Sequence, residues 1–119
     1  MPRWGSRAPE FQLKVCVVGA GAIGGFLGTR LALEGSARVS ALARGTTLVA
    51  LRGHGWRLQE GATLLQAPLA LAADDARELG PQDLVIIALK SPALPALASA
   101  LAPLISADTV VLPAMNGVP

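Results

Sequence analysis

A chain of 119 residues, with 10 Lys and Arg against 8 Asp and Glu and a formal charge of +2, has room for one hydrophobic core and no second domain. A domain of this size buries roughly 60–70% of its unfolded surface and needs no staple, and the single cysteine, Cys16, excludes a disulfide framework and a cysteine-built zinc cage. A hydrophobic content of 52% with 15% charged residues excludes a disordered chain.

Residues 1–11 are read as an N-terminal extension, expected to be poorly ordered, and the domain proper as 12–119. Residues 12–18 form a short β-branched run ending at Gly19, the pattern of a strand buried on both faces of a parallel sheet. From residue 22 to 34 the apolar residues Ile23, Phe26, Leu27, Leu31 and Leu33 recur at helical spacing, and Gly35 stands where a left-handed cap belongs. A second strand is expected over 38–43 and a short helix over 46–52, closed by Gly53. His54, between Gly53 and Gly55, reads as a turn residue. Residues 56–59 and 62–65 flank Glu60-Gly61 as a hairpin. Asp74-Asp75 caps a brief helix reaching Leu79, Gly80-Pro81 stops it, and residues 83–89 make a continuous apolar strand. Ser91-Pro92 then opens a helix towards Ala102, with Pro95 in its first turn, and residues 109–112 form the last strand. Strands alternating with helices imply βαβ units, so the expected class is α/β: a Rossmann-like parallel sheet with flanking helices.

The longest uncharged stretch, residues 91–107, carries Pro92, Pro95 and Pro103, and residues 15–29 contain five glycines, so neither reads as a membrane span. No apolar segment directly follows Arg3 and Arg7 as a secretory signal requires, and a cytoplasmic setting is the expectation. Charge is uneven. Residues 1–61 hold eight basic and three acidic side chains, and residues 62–119 hold two basic and five acidic ones. Few aromatics accompany the basic groups, which argues against nucleic acid and for a small polyanionic ligand.

Gly19, Gly21 and Gly24 satisfy G-x-G-x-x-G between a predicted strand and a predicted helix, the context in which that spacing carries meaning. Gly19 permits the tight turn, Gly21 lets a pyrophosphate approach the backbone, and Gly24 allows close helix–strand packing. The amides of Ala22, Ile23 and Gly24 would then face the phosphates at the positive end of the helix. The plainer alternative is a glycine-rich turn that binds nothing. NAD-specific sites place a carboxylate near the end of the second strand. Here no Asp or Glu occurs between Glu34 and Glu60, and Arg44 stands past that strand with Thr46 and Thr47 behind it. A guanidinium there suits the 2′-phosphate of NADP, unless Arg44 is a solvated loop residue.

Four motifs in order make the chain resemble the N-terminal half of the ketopantoate reductase (2-dehydropantoate 2-reductase) family. They are the turn at 19–24, Leu-Ala-Arg-Gly at 42–45, a strand ending Ala-Leu-Lys-Ser at 88–91, and Met-Asn-Gly-Val-Pro at 115–119. The resemblance implies NADP as cofactor, a 2-keto acid as substrate, most directly 2-dehydropantoate in pantothenate biosynthesis, and Lys90 and Asn116 as residues lining the cleft and contacting the coenzyme. On their own residues, Lys90 at the end of an apolar strand suits attraction of an anionic keto acid or phosphate, with an exposed snorkelling lysine as the alternative, and Asn116 reads equally as a turn residue. The family's catalytic lysine and substrate-holding acid lie in a helical C-terminal domain that this sequence does not include. No catalytic residue is therefore assigned here, and no metal ligand. The partners expected are the small-molecule substrate and the missing C-terminal domain, with a homodimer as a possible assembly. The competing readings are a nucleotide-sensing domain without catalysis and the N-terminal domain of another hydroxyacid dehydrogenase.

Overall fold

The computed structural model describes residues 12–89 and 94–114. Their regular elements are β1 (Leu13–Val18), α1 (Ala22–Glu34), β2 (Ala37–Leu42), α2 (Gly45–His54), β3 (Trp56–Glu60), β4 (Thr63–Ala67), β5 (Ala72–Ala73), β6 (Leu84–Ile87), α3 (Leu94–Leu101) and β7 (Val110–Pro113), with 3₁₀ turns at Ala76–Glu78 and Ala102–Leu104. Five strands form one sheet in the order β5-β2-β1-β6-β7, and every pairing in it is parallel. This is the expected Rossmann-like α/β architecture. Among the described residues no helix is long and apolar enough to cross a membrane.

Because successive side chains of a strand point to opposite faces, β1 supplies both halves of the core. Val15 and Val17 enter a cluster with Val39 and Ala41 of β2, Leu48 and Leu51 of α2, and Trp56 and Ala67 of the β3–β4 hairpin. Cys16 and Val18 enter a second cluster, with Val85, Leu79, Leu101 and Leu104. Helices α1 and α2 and the hairpin thus cover one face, and α3 with the two 3₁₀ turns covers the other. Burial pushes the Cys16 thiol up to about 12 from the model-compound value of 9.0, partly opposed by a hydrogen bond with the Leu42 backbone. It is a packing residue with no reactive character.

Several boundaries differ from the sequence reading for physical reasons. Helix α2 runs through Gly53 and stops at Gly55, which has φ 72° and whose N–H donates to the Leu51 carbonyl at 2.8 Å. His54 is therefore the last residue of a helix and not a turn residue. The hairpin turn is Gly61-Ala62, because Glu60 pairs with Thr63 and Gly61 takes φ 58°. Strand β5 was not foreseen. Two alanines carry no strand propensity, and they count as a strand only because they pair with Ala41 and Leu42. The brief helix after Asp74-Asp75 is a single 3₁₀ turn, capped by the Asp75 side chain, which accepts from the Arg77 N–H at 2.9 Å. The Ser91-Pro92 start proposed for the third helix lies outside the described residues, and Pro95 does fall in the first turn of α3.

Candidate functional site

Strand order reverses between β1 and β6. The chain steps outward from β1 through β2 to β5 on one side and from β6 to β7 on the other, so the carboxyl ends of β1 and β6 flank a topological switch point, where open α/β sheets bind ligands. Backbone bonds knit this rim together: Gly19 N–H donates to Leu42 O (2.9 Å), Ala43 N–H to Ala73 O (2.9 Å) and Ala88 N–H to Val18 O (2.9 Å).

The glycine turn occupies that rim, and each glycine has a distinct reason to lack a side chain. Gly19 sits at φ 84°, and a Cβ on it would come within 2.6 Å of the Leu89 side chain and 3.0 Å of the Ala88 carbonyl. At Gly24 a Cβ would lie 2.0 Å from the Gly19 carbonyl oxygen, so α1 leaves the turn too close to β1 for any side chain. Gly21 is different. Among the described residues its Cβ would meet nothing within 4 Å, so on that side the turn is open to a ligand. Gly21 is also the N-cap of α1 and offers no side-chain cap, and no acid stands in the first turn. The amides of Ala22, Ile23 and Gly24 are left for a ligand or water, since the first helical bond runs from Gly25 N–H to Gly21 O (2.7 Å). Uncapped amides, the positive helix end and open space above a strand terminus together suit an anionic group.

Register places Leu42 beside Val18, so Arg44 follows the end of β2 as Ala20 follows the end of β1. Arg44 is exposed and extended (φ −132°, ψ 161°) as the N-cap of α2, and the ion pairs among the described residues, Arg30–Glu60 and Arg77–Asp75, do not involve it. The turn and Arg44 therefore share one rim of the sheet. Lys90 and Asn116 lie outside the described residues, beyond Leu89 and Ala114.

Gly28 repeats the small-residue face of α1, and the structure shows what that face meets. It lies one turn beyond Gly24, and a Cβ there would sit 2.3–2.7 Å from the six-membered ring of Trp56. Trp56 is fully buried and its indole N–H donates to the Val39 carbonyl at 3.0 Å. Helix α1 thus packs on an aromatic ring of the hairpin that is itself bonded to β2. Beside that ring, α2 and the start of α1 leave a groove of about 420 Å³, whose polar lining residues Thr46, Thr47, His54 and Arg57 were not assembled by sequence reasoning.

Comparison with known proteins places these features. Residues 15–119 match the family described as ketopantoate reductase PanE/ApbA. A 2-dehydropantoate 2-reductase of Mesorhizobium japonicum is 43% identical over 107 residues, covering 90% of this chain and 32% of that protein. The crystal structure of a 2-dehydropantoate 2-reductase from Porphyromonas gingivalis W83 superposes with a TM-score of 0.81 at 30% identity, covering 89% of this chain and 39% of that one. A ternary structure of D-mandelate dehydrogenase with NADH and anilino(oxo)acetate superposes with a TM-score of 0.74 at 26% identity, over 90% of this chain and 35% of that one. The chain spans about a third of the length of the curated relatives it matches.

Proposed function

The chain belongs to the ketopantoate reductase PanE/ApbA family, and on that basis we propose that residues 12–119 are the NADP-binding domain of a reductase that transfers hydride to a 2-keto acid, 2-dehydropantoate first among them. The observation that carries this reading is the glycine turn. Gly21 leaves open space in front of three uncapped amides, at the switch point of a parallel sheet. That cradle fits a pyrophosphate. Gly21, Ala22, Ile23 and Gly24 would bind it through backbone N–H groups, and Gly19 would set the turn.

Arg44 is proposed to select the phosphorylated coenzyme. A guanidinium forms paired, charge-assisted bonds to a phosphate dianion, and an acid-free segment from Gly35 to Gln59 removes the carboxylate that would hold a ribose diol instead. The D-mandelate dehydrogenase neighbour carries NADH, so the fold alone does not dictate the choice and Arg44 has to. Lys90 and Asn116, which follow β6 and β7 in sequence, are proposed to line the cleft. A lysine there would attract the carboxylate of a keto acid, and Asn116 would contact the coenzyme. When bound, the coenzyme supplies the hydride. This chain's residues bind and orient, and the proton for the keto oxygen is assigned to none of them. The exposed β7 strand, with Val110 59% and Leu112 49% accessible, supports the expectation that further polypeptide packs on this side.

The test is calorimetric titration of NADPH and NADH into the chain, its Arg44→Ala variant and its Gly21→Val variant. The parent should prefer NADPH by about tenfold or more, a charge-assisted contact being worth about 1.5–3 kcal/mol. Arg44→Ala should lose the preference, and Gly21→Val should bind neither coenzyme while keeping its circular dichroism. Equal affinities in the parent would refute the NADP assignment, and normal binding by folded Gly21→Val would refute the cradle.

A further inference from the structure

The groove beside Trp56 lies where the first turn of α1, the length of α2 and the start of β3 meet. Thr47, Ala50, Leu51 and His54 are spaced i, i+3, i+4 and i+7, so they form one stripe of α2 facing the groove. The apolar lining that reaches solvent is Ala50 and the edge of Leu51, with the Trp56 ring sealed beneath them. Polar character is confined to a few points: the Thr46 and Thr47 hydroxyls near one end, and His54 and Arg57 near the other.

The electrostatics have one sign. Among the described residues no carboxylate lines the groove, and none occurs in the sequence from residue 35 to 59. Arg57 pairs across the hairpin with Gln66, a neutral partner, and neither ion pair among the described residues includes it. His54 has Nδ1 at 2.8 Å from the Gly55 carbonyl, to which it donates, leaving Nε2 as the ring's remaining polar atom. A groove of this size, open to solvent and bordered by a few polar groups, can seat one face of a small molecule. The Arg57 guanidinium, in no ion pair among the described residues, gives it a preference for anions.

We propose that this groove is a second ligand site, distinct from the nucleotide cradle, that takes a small organic oxyanion: a flat or short apolar body bearing one carboxylate or phosphate. The oxyanion pairs with Arg57 and the body lies against the Thr47 and Ala50 stripe of α2. Distinctness follows from reach. Arg44 and His54 stand at opposite ends of α2, ten residues apart at about 1.5 Å rise each, or about 15 Å, so one phosphate cannot engage both. Ala20 and Gly25 nevertheless border the groove, and a ligand there lies against the coenzyme turn.

The probes are phenyl phosphate and benzoate, with inorganic phosphate lacking the body and benzyl alcohol lacking the charge. Each is titrated into the ¹⁵N-labelled 119-residue chain and followed by NMR. Saturable shifts are expected for one or both aryl oxyanions at Thr46, Thr47, His54, Arg57 and the Trp56 indole N–H. Both controls should bind at least about tenfold more weakly, and Arg57→Gln, a change at an exposed position, should weaken the aryl oxyanion by about tenfold. Thr47→Val, on another element, should weaken it less. The proposal is overturned if neither aryl oxyanion saturates, if Arg57→Gln binds as the parent does, if shifts centre on residues 19–24 and Arg44, or if NADPH displaces the probe competitively. NADPH added to the same sample separates this site from the cradle: probe binding without NADPH binding would sink the proposed function and leave the groove standing.

Discussion

Val15, Cys16, Val17 and Val18 of β1 are at most 3% exposed, whereas Val110, Val111 and Leu112 of β7 are 59%, 44% and 49% exposed, although both strands are apolar and belong to one parallel sheet. The difference is position. β1 has a strand on either side and packed elements on both faces, while β7 has β6 on one side alone among the described residues. The glycine turn, α1 and the hairpin that clamps it through Trp56 make a finished structure within the chain. The β7 side is a surface of the kind that further polypeptide covers. Packing strength should therefore be concentrated around the glycine turn.

The largest expected effect comes from removing the clamp. Trp56→Ala empties the space against Gly28 and leaves the Val39 carbonyl with the Ala70 N–H as its remaining donor, and should cost about 3–5 kcal/mol in urea unfolding followed by circular dichroism. A loss below 1 kcal/mol would mean that α1 holds its place without the hairpin. Gly24→Ala comes next, at about 1–3 kcal/mol, because its Cβ would lie 2.0 Å from a backbone oxygen that cannot swing away. Its neighbour sharpens the contrast: Gly21→Ala, with open space, should stay within about 0.5 kcal/mol. Equal losses at the two glycines would break the geometric account of the turn.

Alkaline pH probes the same buried centre with a graded effect. Cys16 has its folded-state pKa raised, so its contribution is fully present below the unfolded value of 9.0 and is lost as pH rises towards about 12. Across that window the unfolded chain ionises its thiol and the folded chain does not, which should cost roughly 1 kcal/mol per pH unit. The Cys16→Ala variant should lack this part of the slope, and a parent and variant with identical profiles would contradict it. The smallest effect belongs to the other region: Val111→Thr on exposed β7 should change stability by no more than about 0.5 kcal/mol, and a core-sized loss there would show that β7 is covered within this chain.

Local chemistry was legible in the residues themselves. The β1–turn–α1 unit could be read because its signals lie within a few residues of one another: a β-branched run, three glycines whose spacing fixes backbone shape, helical periodicity, and Gly35, which takes φ 92° as a cap. Arg44 and the absence of acids around it were readable for the same reason, as was the parallel class implied by alternation. What depended on distant partners was not. Gly28 needs to be glycine because of a ring 28 positions later, β5 is a strand only through its partner β2, and α2 passes Gly53 because Leu51 packs into the core and Gly55 makes the cap. The groove exists because the hairpin folds back onto α1, which brings Arg57 beside an α2 stripe ending at His54. Sequence determined the backbone-level cradle through short-range conformational preference; tertiary packing decided what closes over it and what stays open, because burial depends on neighbours that no local pattern names.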